Sequence, residues 1–195
     1  MTPKLHIAFN SHNLLFQHVN GYHEKDMLVF HETISHDEKG LEDITGVENY
    51  LAAKGYGIHG MVDSEGNVAW AKTLGKAIFW QCEGVNERSE GIELVSFIPS
   101  QYKTNLARRN HWNERIKQLD TAAKLAACIH RAHPHIPLVY SKGITPGITT
   151  HWNVTKALNI AGGHTDCFPV NEGGYFPLLN VIELAKKYYK EGWHF

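Results

Sequence analysis

The chain has 195 residues, enough for one well-packed α/β domain and cramped for two. Hydrophobic residues at 43% and charged residues at 20% exclude disorder as its main state. A formal net charge of -1 argues against a nucleic-acid partner, which would require a basic surface.

No apolar run approaches the roughly 18 residues needed to span a membrane. Residues 1–10 also lack the apolar stretch of a signal peptide. The expectation is a chain made in the cytoplasm, with no membrane contact and no obligate protein partner.

Residues 1–25 are loosely patterned and read as an N-terminal extension, packing as an edge element or a small helix, ahead of a domain over 26–195. Asp26-Met-Leu-Val-Phe-His31 reads as a short buried strand ending in a histidine. Val47, Tyr50 and Leu51 have helical spacing within 46–54, and Gly55 follows as a C-cap. The segments 58–62 and 68–71 flank the polar turn Asp63-Ser-Glu-Gly66 and predict a β-hairpin.

A strand is expected over 91–97, carrying Glu93 in an apolar setting. Ile116, Leu119, Ala123, Ala126 and Ile129 form one stripe of a helix over 113–131, which is read as core packing. A short strand over 137–140, a loop rich in Gly, Thr and Pro, a helix over 152–158, a loop over 162–169 and a closing amphipathic helix over 178–191 complete the chain. Strands and helices are intermixed, so the predicted class is α/β, a single domain with a central sheet flanked by helices.

Histidine is the unusual total, with 14 in the chain. It is the commonest metal ligand, but abundance does not locate a site. The three cysteines, Cys82, Cys128 and Cys167, are an odd number with no close pair, so neither a disulfide framework nor a CxxC zinc knuckle is expected.

A catalytic zinc takes three protein ligands and keeps one open position. His31 at a strand end, His151 at a helix start, and Asp166 or Cys167 in a glycine-flanked loop meet that description, although spacing alone cannot choose among the histidines. Glu93 is either an exposed strand residue, a partner of Arg88, or a functional carboxylate, because burying an unpaired one is costly.

Four stretches, in order, carry a resemblance: Leu28-Val-Phe-His-Glu-Thr33, His59-Gly-Met-Val-Asp-Ser-Glu-Gly-Asn-Val68, Asn86 through Gly91-Ile-Glu-Leu-Val95, and Thr150-His-Trp-Asn-Val154 with Gly163-His-Thr-Asp166. The chain resembles the zinc-dependent N-acetylmuramoyl-L-alanine amidases shared by phage endolysins, AmpD-like enzymes and peptidoglycan recognition proteins. The resemblance implies their mixed central sheet, a Zn2+ cofactor and bacterial peptidoglycan as partner. It implies His31, His151 and Asp166 as ligands, with Cys167 the alternative third, because Thr165-Asp-Cys167 also aligns to a Cys-type branch.

It further implies Glu93 as general base and His164 as a donor to the oxyanion. A phage-type endolysin, acting on the wall after release from a host, fits this reading. The alternatives are a non-catalytic peptidoglycan-binding module or a zinc hydrolase of another amide. The chain departs from the pattern at Ile58, where many relatives have Tyr, at Gln81-Cys82, where Trp-His is common, and at Cys167, where Asp-type relatives have Pro.

Overall fold

A computed structural model of the chain describes residues 2–7, 9–10, 17–18, 23–33, 41–71, 75, 77–96, 102–161, 163–164 and 166–195. Phe9–Asn10 (β1) and Gln17–His18 (β2) are two-residue strands, and β1 lies at the edge of the main sheet. Met27–Glu32 (β3) starts one residue after the expected strand, and all six of its residues are buried. Leu28 and Phe30 join one core cluster while Met27 and Val29 join another. A strand buried on both faces needs no polar alternation, and so it reads as an apolar run.

Leu41–Lys54 (α1) begins earlier than expected and ends at Gly55, whose φ of 74° makes the left-handed cap. The hairpin is present as Gly60–Val62 (β4) and Val68–Trp70 (β5), paired antiparallel. Asp63 closes its turn by accepting from the backbone and side-chain N–H groups of Asn67, both at 2.7 Å. Ala77–Ile78 (β6) pairs with β2 in a separate two-stranded sheet. Ser89–Leu94 (β7) is the strand expected over 91–97, displaced toward its N-terminus, and Phe97 lies outside the described residues.

The helix expected over 113–131 is present, but a break at Arg115 puts its first two residues in a separate, preceding helix. Asn105–Glu114 (α2) breaks at Arg115, where ψ is 45°, and Ile116–Ala132 (α3) continues the chain. Ile116 is therefore not part of the buried stripe. It opens α3 at the junction and is 72% exposed, whereas Ala123, Ala126 and Ile129 are buried as expected. Residues 137–140 make only an isolated bridge, from Tyr140 to Ile148, and no strand.

The strand lies instead at Gly147–Thr150 (β8), inside the stretch read as a loop. His151–Leu158 (α4) and Leu178–Lys190 (α5) match their expected spans to within a residue. Two 3₁₀ turns, Asn86–Arg88 and Val170–Glu172, complete the described elements.

The main sheet has six strands in the order β1-β5-β4-β7-β3-β8, parallel except for the β4–β5 hairpin. One face packs against α3 and α5 through the largest core cluster, which includes Leu125, Ile129, Val181 and Ile182. The other is covered by α1 residues Ile44 and Val47 and, beside β3, by Cys82, Val85 and Val154. Buried Gln118 of α3 donates to the carbonyls of Val62 and Val95, tying the helix to the ends of β4 and β7. The chain is thus a single α/β domain with a mixed sheet flanked by helices. Among the described residues, no helix is long and apolar enough to cross a membrane.

Candidate metal centre

Neighbouring strands β3 and β8 are in a register that sets Phe30 against Thr150. The next residue on each, His31 and His151, therefore leave the same end of the sheet side by side. Their ring centroids are 4.6 Å apart in an edge-to-face arrangement. His151 opens α4, where Thr150 is the N-cap and its hydroxyl accepts from the Asn153 N–H. Asp166 returns from the loop after α4, and its carbonyl accepts from the Trp152 N–H at 3.2 Å, tying that loop to the first turn of the helix.

Three donor groups converge as a result. Nδ1 of His31 lies 3.7 Å from one Asp166 oxygen, and Nδ1 of His151 lies 3.3 Å from the other. One donor atom from each of the three residues lies within 4.8 Å of the others. Tetrahedral zinc bonded at about 2.0–2.2 Å holds its ligand atoms roughly 3.4 Å apart, so the trio is close to the size such an ion demands.

Oδ2 of Asp166 accepts from the Glu32 backbone N–H at 3.1 Å, while buried Oδ1 makes no hydrogen bond. An orphaned carboxylate oxygen beside two imidazole nitrogens is a polar atom that a cation would satisfy. Two imidazoles and a carboxylate are also a donor set suited to zinc.

The protonation states agree with that use. Burial, followed by the neighbouring His151, brings His31 down to about 3, so the ring is neutral with a lone pair to offer. Burial raises the Asp166 carboxyl, but His151, His31 and the Glu32 N–H outweigh it and hold it below the usual carboxylate value.

Glu93 is the Cα partner of His31 on β7 and is 8% exposed. Burial, and then the charges of Asp166 and Glu32, push it well above the ordinary range. Arg88 does not pair with it, because its Nε donates to Asp26 at 2.8 Å. His164 is exposed and stacks on His151, with centroids 4.9 Å apart and planes at 18°. Cys167 stands outside the converging set; it is fully buried in the main core cluster at a φ of 55°, and burial keeps its thiol protonated.

Two residues at the site carry no role in the sequence reading. Glu32, buried behind His31, accepts from the hydroxyls of Ser96 and Tyr175 at 3.0 and 2.8 Å. Gln81 places Oε1 2.5 Å from Nε2 of His31. In sequence the first appears only within the Leu28–Thr33 motif with no role of its own, and the second only as a departure from Trp-His.

A family model described as N-acetylmuramoyl-L-alanine amidase matches residues 21–169, and the chain belongs to that family. No curated protein matches it by sequence. Among solved structures, it is similar to Staphylococcus aureus hydrolase AmiA in complex with its ligand, at 18% identity and a TM-score of 0.57 over 87% of this chain and 75% of that one. It is also similar to the N-acetylmuramoyl-L-alanine amidase LysC from Clostridium intestinale URNW, at 14% identity and a TM-score of 0.50 over 89% of this chain and 93% of that one. Apis mellifera PGRP-SA gives 16% identity and a TM-score of 0.50 over 75% and 84% of the two chains. At these identities the likeness is one of fold.

Proposed function

We propose that the chain is a zinc-dependent peptidoglycan amidase of phage-endolysin type, cleaving the amide between the lactyl group of N-acetylmuramic acid and L-alanine of the stem peptide. The observation that carries this reading is the convergence of His31, His151 and Asp166 with Glu93 in register beside them. His31, His151 and Asp166 would hold the ion, with Cys167 the less suitable third donor because its side chain is buried in the core. When bound, zinc supplies a Lewis acid that polarises the scissile carbonyl and acidifies an attacking water.

Glu93 takes the proton from that water and returns it to the leaving amide nitrogen, a transfer suited to a carboxylate whose proton affinity burial has raised. His164, at the exposed rim over His151, donates to the oxyanion that develops on the carbonyl oxygen. We assign the catalytic unit to 26–195 with 1–25 as its N-terminal extension. Leu5 packs in the main core, and β1 adds to the sheet edge. A product of this kind is made in a host cell and meets the wall after release.

Purified protein incubated with bacterial cell walls is expected to liberate new L-alanine amino termini. Zinc removal, or Glu93→Gln, is expected to lower that rate by about 10²–10⁴-fold. A rate indifferent to both changes overturns the mechanism. Zinc binding without alanine release points instead to another amide substrate, and wall binding without zinc points to a recognition module.

A further inference from the structure

Nδ1 of His31 lies 3.7 Å from Asp166, and the other ring nitrogen has a partner of its own. That atom, Nε2, meets Oε1 of Gln81 at 2.5 Å. The Gln81 amide is itself held, since its NH2 group donates to Ser89 Oγ at 2.6 Å, and Ser89 Oγ donates to the Val85 carbonyl at 2.7 Å.

The relay has one polarity. A carbonyl can only accept, so the Ser89 hydrogen is committed to Val85 and its oxygen accepts from the Gln81 NH2 group. That turns the Gln81 oxygen, itself an acceptor only, toward His31. The His31 proton then belongs on Nε2, and the Nδ1 lone pair is left facing His151 and Asp166.

The surrounding segment is shaped around this one side chain. Oδ1 of Asn86 accepts from the backbone N–H groups of both Gln81 and Cys82, at 3.0 and 2.7 Å. A Cβ at position 91 would collide with Oε1 of Gln81 and come within 2.5 Å of Ile58 Cδ1, so only glycine leaves the amide its place. Asn86, Ser89 and Gly91, three spaced residues of one motif, thereby serve Gln81.

We propose that Gln81 is a positioning residue that fixes His31 in its Nε2–H tautomer and so sets the affinity of the centre for zinc. The inference rests on His31 being a ligand. Outer partners of ligating histidines typically change metal affinity by about 10–100-fold when removed.

The test measures zinc affinity of the full chain by competition with a chromophoric chelator, and the His31 ring tautomer of the metal-free chain by ¹⁵N NMR. Gln81→Leu is expected to bind zinc about 10–100-fold more weakly and to show mixed tautomers. Gln81→Glu, which keeps an acceptor in place, is expected to recover most of the affinity. Ser89→Ala is expected to fall between, and it carries the test if Gln81→Leu does not fold. Affinity within twofold of the parent chain in Gln81→Leu, with the Nε2–H tautomer kept, overturns the inference while leaving the metal centre standing. Equal zinc binding by the parent chain and His31→Ala overturns the metal reading and this inference with it.

Discussion

Burial raises two carboxylates on one strand, Glu90 and Glu93, which sit in different surroundings. Glu93 stands beside His31 toward the end of β7, while Glu90 is fully buried near its start. Glu90 accepts from the Gly75 N–H and lies 3.4 Å from Nε2 of both His59 and His133. Burial lowers both imidazoles, so they are neutral at pH 7 and these contacts are not ion pairs. Burial raises Glu90 to about 7 even though Lys25 and the Gly75 N–H oppose it.

The folded chain therefore holds the Glu90 proton more tightly than the unfolded chain does. The resulting penalty is absent below about 4.5 and grows as pH rises through about 7, reaching about 3 kcal/mol. The two histidines act with the opposite sign, below about 6.5. The difference between Glu90→Gln and the parent chain isolates the carboxylate: denaturant unfolding is expected to favour Glu90→Gln progressively from pH 5 to pH 8. A constant difference across that range would contradict it. In sequence Glu90 and Glu93 are both acidic residues in one apolar stretch, and their separate surroundings arise only when β3 and β4 pair beside them.

Among the elements, legibility followed the hydrophobic pattern. β3, the β4–β5 hairpin and β7 show apolar runs or alternation, and each lies where expected to within a few residues. α2 escapes because its sequence, NLARRNHWNE, buries only Trp112 and has no apolar stripe. β8 escapes because Gly-Ile-Thr-Thr among glycines and prolines carries turn signals. The strand nevertheless requires its first residue to be glycine, because Gly147 has φ 139°, and a Cβ there would sit 2.7 Å from the Val139 carbonyl. Gly147→Ala is expected to cost about 1–3 kcal/mol in chemical unfolding. It is also expected to weaken metal binding, since β8 delivers His151. Unchanged stability would mean that the turn relaxes freely.

For the whole molecule, the intermixed strands and helices were enough to set the α/β class, and four ordered motifs were enough to nominate the candidate ligands. Their meeting was not legible, because His31 and His151 become neighbours only through the parallel pairing of β3 with β8. Asp166 joins them through the loop after α4. A site assembled from distant segments exists only in the folded chain, so a metal held there would be coupled to folding. Zinc at 100 times its dissociation constant is expected to add about 2.7 kcal/mol. For a chain of this size, that raises the thermal midpoint by roughly 5–10 °C. Calorimetry with and without zinc checks this, and a His31→Ala chain should lose the increment.

Cys167 follows Asp166 directly, and its side chain is wholly sealed in the core. A thiol so placed is a built-in clock. Alkylating reagent reaches it only when the segment carrying Asp166 lifts away from the core, so its labelling rate counts those openings. Saturating zinc is expected to slow modification of Cys167, read by peptide mass mapping, by more than the global stabilisation slows that of Cys128, buried on α3. Equal protection of both would mean that the Asp166 segment opens only when the whole domain unfolds.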